Sequence, residues 1–190
     1  AFYQPKVDIN SGKLVGAEAL IRWRTRDNKL IAPGDFIPLS EKTGLVTDLD
    51  MIVFEKVLAF LRTSLDAGVE CVPISVNFSR LHFSNEKFLP TLLQKMEKYQ
   101  VPAHLIELEL TESAIFDNLS IIYDFTEKVR EYGVAVAMDD FGSGYSSLNM
   151  LKDLSIDTLK VDRAFLEEAA DNEKRNIIFV SVVEMARKLN

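Results

Sequence analysis

Strand-like and helix-like patterns alternate along most of this chain with only short connections, and no other feature restricts the fold as strongly. Val72 to Phe78 is a short apolar run rich in β-branched residues, and Phe88 to Tyr99 follows with helical spacing through Phe88, Leu89, Leu92, Leu93 and Met96. Leu105 to Leu110 reads as the next strand, Leu119 to Tyr132 as a helix stopped by Gly133, and Val134 to Met138 as a strand. Ser146 to Leu151 reads as a short helix, Thr158 to Val161 as a strand, and Arg175 to Leu189 as a helix. Strands separated by helices pair in parallel, because the helix is the crossover that returns the chain to the same end of the sheet. An open doubly wound sheet and a (β/α) barrel both satisfy that rule. The barrel accounts better for the polar residues gathered at the C-terminal ends of successive strands, where barrels of this class carry their active sites.

The first third departs from that rhythm. Phe2 to Ile9 and Leu14 to Trp23 flank Asn10-Ser11-Gly12-Lys13, which reads as an antiparallel hairpin. Pro33-Gly34-Asp35 starts a helix over Phe36 to Lys42, and Thr47-Asp48 caps a longer amphipathic helix that runs to Ala67 and is stopped by Gly68. With 190 residues, 47% of them hydrophobic, the chain can bury one substantial core. No linker or low-complexity segment divides it, so residues 1–190 read as one domain. The 22 basic residues are outnumbered by 29 acidic ones, and a net charge of -7 argues against a nucleic-acid polymer as partner. Cys71 is the one cysteine, which rules out an intramolecular disulfide and favours a reducing compartment, read here as the cytoplasm. No apolar run approaches the roughly 18 residues of a membrane span, and Ala1-Phe2-Tyr3-Gln4-Pro5 does not resemble a signal peptide.

Chemistry concentrates at strand ends. Alternation along Leu105 to Leu110 puts Ile106, Leu108 and Leu110 on one face and Glu107 and Glu109 on the other, with Thr111 continuing the second face. The next strand closes on Ala137-Met138-Asp139-Asp140. Carboxylates crowded at one mouth repel one another unless a cation sits among them, and hard oxygen ligands suit Mg²⁺ or Mn²⁺. Taken singly, each acid could equally be a solvated loop-end residue; their joint placement favours a metal. Glu18 interrupts an apolar strand, and Asn77 closes the Val72 to Val76 run as either a neutral oxygen ligand or a turn residue. Lys160 lies inside another apolar strand, suited to pair with the acids and orient an activated water, while Arg22 offers a planar fork to phosphate. Asp140-Phe141-Gly142 imitates a kinase signature without its companion elements, His82 and His104 lack metal spacing, and Cys71 reads as a small buried hydrophobe.

Five collinear segments resemble a known family. Glu18-Ala19-Leu20 with Arg22-Trp23, between Tyr3-Gln4-Pro5 and Asp35-Phe36-Ile37-Pro38, is similar to the opening of the EAL domain, the bacterial cyclic di-GMP phosphodiesterase. The others are Ser75-Val76-Asn77-Phe78-Ser79, Glu109-Leu110-Thr111-Glu112-Ser113, Asp139-Asp140-Phe141-Gly142-Ser143-Gly144-Tyr145-Ser146-Ser147-Leu148 and Leu159-Lys160-Val161-Asp162-Arg163.

The resemblance implies a modified TIM (β/α)₈ barrel with an antiparallel first strand, in keeping with the hairpin. It implies one or two Mg²⁺ or Mn²⁺ ions on Glu18, Asn77, Glu109, Asp139 and Asp140. Lys160 would assist the water nucleophile, with Glu18 and Glu112 also counted in the catalytic set, Glu112 as the residue that holds the loop after the fifth strand. Gln4, Leu20 and Arg22 match positions that contact the dinucleotide, and the loop Phe141 to Ser147 serves homodimerisation in relatives. Asp162 falls in a shared motif without an assigned role. The implied reaction is metal-dependent hydrolysis of cyclic di-GMP to linear pGpG, and the alternative is a noncatalytic cyclic di-GMP receptor or regulatory domain. The family's later Glu-Gly-Val-Glu and Gln-Gly motifs are missing from these residues. The chain is therefore expected to lack the last two strands of the barrel and to be part of a longer multidomain protein, with a diguanylate cyclase or sensory domain upstream and a parent that could be membrane-anchored.

Overall fold

The computed structural model describes residues 1–117, 119–143 and 154–189. β1 (Phe2–Val7) and β2 (Leu14–Leu20) form the expected hairpin, and β3 (Trp23–Arg24) and β4 (Leu30–Ile31) make a second, two-stranded one. Then come α1 (Pro33–Thr43), α2 (Val46–Asp66), β5 (Ile74–Asn77), α3 (Phe88–Tyr99), β6 (Ile106–Thr111), α4 (Glu112–Asp117) and α5 (Leu119–Glu131). β7 (Ala135–Phe141), β8 (Thr158–Val161), α6 (Arg163–Asp171) and α7 (Glu173–Leu189) complete the described strands and α-helices, and short 3-10 turns lie at Arg80–Ser84 and Ala103–Leu105. Six strands form one sheet in the order β1-β2-β5-β6-β7-β8, with β1 antiparallel to β2 and every other pair parallel. The sheet is curled into a half-barrel led by its antiparallel strand.

Alternation along the strands decides which face packs. Ile74 and Val76 of β5, Ile106, Leu108 and Leu110 of β6, and Val136 and Met138 of β7 are all buried on the helix-covered side. Against them lie Phe54, Val57, Leu58 and Leu61 of α2, Leu92 and Met96 of α3, and Ile122, Phe125 and Val129 of α5, in one continuous core. The opposite face of the same strands is thereby left to polar side chains, and that inner face carries the site.

Several boundaries differ from the sequence reading for local reasons. Thr47 does not cap α2: the helix starts at Val46 after Leu45, and the Thr47 hydroxyl donates to the Gly44 carbonyl at 3.0 Å. α4 was not anticipated, since Thr111 ends a strand and caps a helix at once, its hydroxyl accepting from the Ala114 amide at 3.3 Å. α6 was also unforeseen, although its signal is present in Asp162, whose carboxylate accepts from the Ala164 amide at 2.7 Å and so acts as N-cap. β7 runs three residues beyond Met138, to Phe141. Cys71 is half-buried beside the core, not enclosed in it. The helix expected over Ser146 to Leu151 lies outside the described residues.

Candidate functional site

Strand register brings the inward-facing polar residues to one place. Gln4 of β1 pairs with Glu18 of β2, Glu18 with Ser75 of β5, Asn77 with Glu109 of β6, and Thr111 with Asp139 of β7. Glu18, Glu109 and Asp139 thereby offer ligand oxygens that all lie within 4.8 Å of one another. Glu109 is fully buried, with 1% of its surface exposed, and Glu18 and Asp139 are partly covered.

Two cations hold this cluster. Lys160 Nζ donates to Glu18 Oε2 at 3.1 Å, Glu109 Oε2 at 2.8 Å and Asp139 Oδ2 at 2.8 Å. Lys6 Nζ donates to Glu107 Oε2 at 2.6 Å and Glu109 Oε1 at 2.9 Å. The Asn77 amide donates to Glu18 Oε1 at 3.0 Å and Glu109 Oε2 at 3.2 Å. Burial alone would drive the Glu109 carboxyl up, but hydrogen bonds from Lys160, Ser75 and Lys6 prevail and hold it below its ordinary value. Burial likewise acts to lower the Lys160 ammonium, and its bonds to Asp139 and Glu109 overcome that and raise it well above the usual lysine range. Lys160 is therefore a permanent donor near neutral pH, suited to orient an oxygen and unsuited to take its proton.

The other expected site residues are placed differently. Asp140 stands apart from the three convergent acids, in a left-handed conformation (φ 58°), with its amide donating to Asp139 Oδ1 at 2.9 Å. Partial desolvation, then the neighbouring Asp139 and Asp162, push its carboxyl up. Glu112 is buried, and its Oε2 accepts from the Gly142 amide at 2.9 Å, tying the start of α4 to the turn after β7. Ser143 is the last described residue of the loop expected over Phe141 to Ser147; residues 144–147 lie outside the described ones. Leu20 and Arg22 line a cleft of about 600 Å³, together with Asn77, Asp50 and Ser79. Arg22 Nη1 donates to the Ile21 carbonyl at 2.7 Å, and its guanidinium lies 5.9 Å from the Phe2 ring centroid. Gln4 is exposed on β1 beside Glu18.

Sequence reasoning missed Lys6, Thr158 and Asp50. Lys6 shares the inward alternation of Gln4 in β1, a signal that becomes readable only once the register with β2 is known. Asp50 of α2 accepts from the Ser79 amide at 2.9 Å and contacts His82 Nε2 at 3.1 Å. His82 is buried and stacked on Phe88 with 4.2 Å between centroids, so it packs and does not lie on the surface.

The donor set fits a hard divalent cation. Three carboxylates meet at bonding reach of a common centre, and Asn77 can turn either end of its amide toward that centre. The Lys160 ammonium already satisfies the same three acids as a positive charge.

The sequence model of the EAL domain matches residues 1–190. The chain is 38% identical over 189 residues to MucR of Pseudomonas aeruginosa, a bifunctional diguanylate cyclase/cyclic di-GMP phosphodiesterase, covering 99% of this chain and 27% of MucR. It is 34% identical over 188 residues to the cyclic di-GMP phosphodiesterase NbdA of the same organism, covering 99% of this chain and 24% of NbdA. The chain thus spans about a quarter of the length of these curated relatives. A solved structure of the PaMucR phosphodiesterase in complex with c-di-GMP superposes with a TM-score of 0.91 at 36% identity, over 99% of this chain and 76% of that one. Among the described residues no helix is long and apolar enough to cross a membrane.

Proposed function

This chain belongs to the EAL domain family, and from that premise we propose that it hydrolyses cyclic di-GMP to linear pGpG with the help of one or two Mg²⁺ or Mn²⁺ ions. The convergence of Glu18, Glu109 and Asp139 within 4.8 Å of one another, at the C-terminal mouth of a parallel sheet, carries the reading. Glu18, Asn77, Glu109 and Asp139 would hold a first ion, and Asp140, which stands apart from the three convergent acids, would serve a second where two are bound. When bound, the cation supplies Lewis acidity at the phosphodiester and a more acidic water.

The protein's own residues do the rest. Lys160 stays protonated, and in place of one of its three carboxylate contacts its ammonium would hydrogen-bond the attacking oxygen and hold it in line with the phosphorus. Arg22 presents its guanidinium plane to a phosphate, and Gln4 and Leu20 border the dinucleotide beside the cleft. Glu112 fixes the Gly142 amide and with it the turn that follows β7. The -7 net charge makes such local cations necessary for an anionic substrate.

The domain is proposed to be completed by strands beyond Asn190, within a multidomain protein that has a cyclase or sensory module upstream, works in the cytoplasm and pairs as a homodimer around Phe141 to Ser147. The test is product analysis with cyclic di-GMP and an unrelated phosphodiester, with and without a chelator. Chelator-sensitive formation of pGpG from cyclic di-GMP alone is expected. Tight binding without turnover would overturn the enzymatic reading in favour of a receptor, and turnover of the unrelated ester at the same rate would overturn the substrate.

A further inference from the structure

Glu107 is the inward-facing acid that the proposed chemistry leaves unused, although strand alternation turns it to the same face as Glu109. It is not a solvated end residue. Its side chain is 12% exposed and both oxygens are engaged, Oε2 by Lys6 Nζ at 2.6 Å and Oε1 by the Thr158 hydroxyl at 2.6 Å. The same Lys6 ammonium reaches Oε1 of Glu109 at 2.9 Å. Glu109, whose side chain is 0% exposed, therefore has its two oxygens divided: Oε1 faces Lys6, and Oε2 meets Asn77 and Lys160.

The strand opposite is built to let Lys6 reach this point. Its register partner is Gly16, where a Cβ would lie 3.5 Å from Lys6 Cδ and 3.3 Å from the Pro73 carbonyl oxygen. An added methyl would press on the Pro73 carbonyl and touch the lysine stem at ordinary contact distance, so the stem lies directly against the backbone of β2. Glu107 also offsets the lysine's charge, so the contact orients Glu109 without adding net positive charge beneath a cation site.

Resting on the reading of Glu109 as a metal ligand, we propose that Lys6 is a positioning residue of that site: anchored by Glu107 and Thr158, it holds Glu109 by Oε1 so that Oε2 is presented to the cation. Groups that orient metal-binding carboxylates typically change affinity by about 10–100-fold when removed.

The test uses the full-length protein and Mn²⁺ titration followed by the electron paramagnetic resonance of the free ion. The double variant Lys6→Met/Glu107→Gln removes one charge of each sign, so orientation is lost while net charge is kept. Its Mn²⁺ affinity is expected to fall by about 10–100-fold, with Lys6→Arg retaining most of the wild-type value. Wild-type affinity in the double variant overturns the proposal. If circular dichroism shows the double variant unfolded, Thr158→Val decides: weaker Mn²⁺ binding supports the anchored lysine, and unchanged binding overturns it. Glu18→Ala, titrated in parallel, separates the two ideas. Lost Mn²⁺ binding there beside normal binding in the double variant overturns the positioning role alone, whereas normal binding in Glu18→Ala overturns the metal-site reading on which it rests.

Discussion

Glu109 shows how one residue can be both buried and charged. A carboxylate with no solvent contact is costly unless its lone pairs are filled, and here Lys6, Asn77 and Lys160 fill them. The pH consequences follow in sign. The folded carboxyl titrates below its ordinary 4.5, so its contribution to stability is present above that value and lost as the pH falls through the folded value. Lys6 and Lys160 are raised above 10.5, so theirs is present below that value and lost as the pH rises through the folded values. Melting temperature of the metal-free protein is therefore expected to drop below pH 4.5, with Glu109→Gln flattening that acid limb. Replacing Glu18 by Ala is expected to abolish cyclic di-GMP hydrolysis while circular dichroism stays unchanged, because on the proposed reading an anionic metal ligand would be lost while Lys160 keeps two other partners. Unaltered turnover in that variant would remove Glu18 from the site. Lys160→Ala is expected to keep dinucleotide binding and lower kcat by about 10²–10³, as loss of a positioned donor does. Equal losses in binding and turnover would instead mark the lysine as structural.

At the level of elements, the turn that follows β7 depends on one glycine packed against Phe165 of α6. Gly142 adopts φ +94°, and a Cβ there would come within 2.8 Å of Cγ of Phe165. Both the backbone and the ring forbid a side chain, while Glu112 binds the amide of the same residue. Gly142→Ala is expected to cost about 1–3 kcal/mol in urea unfolding, and adding Phe165→Ala should return only part of that, because space is restored and the φ angle is not. Full recovery in the double variant would mean that backbone strain contributes nothing. The same scale explains which elements sequence periodicity missed. α4 follows β6 with no intervening residue, and α6 follows β8 with only the capping Asp162 between, so neither has the loop that ordinarily announces a helix.

Across the whole molecule, the described sheet ends at β1 on one side and β8 on the other, each with a single strand neighbour. Unpaired edges invite further strands. On the proposal that further strands complete the domain, full-length protein is expected to hydrolyse cyclic di-GMP, while residues 1–190 alone show little or no turnover in the same assay; equal specific activity would show that these strands suffice. The sequence by itself determined the periodicity, and with it the α/β class, the antiparallel opening hairpin, the parallel strands and the inward face of Glu107 and Glu109, because alternation of polar and apolar residues is a local property that one strand carries alone. Among the motif residues, Glu18 and Lys160 were legible as polar residues inside apolar runs, Glu109 by its alternation with the apolar face, and Asn77 and Asp139 by their places at strand ends. Only the tertiary structure decided that Lys6 and Thr158 grip Glu107, that Asp140 stands outside the triad of acids, and that Asp50 meets Ser79 and His82. Those contacts join residues as many as 101 positions apart, and their partners are fixed by inter-strand register and helix packing, which no local pattern encodes.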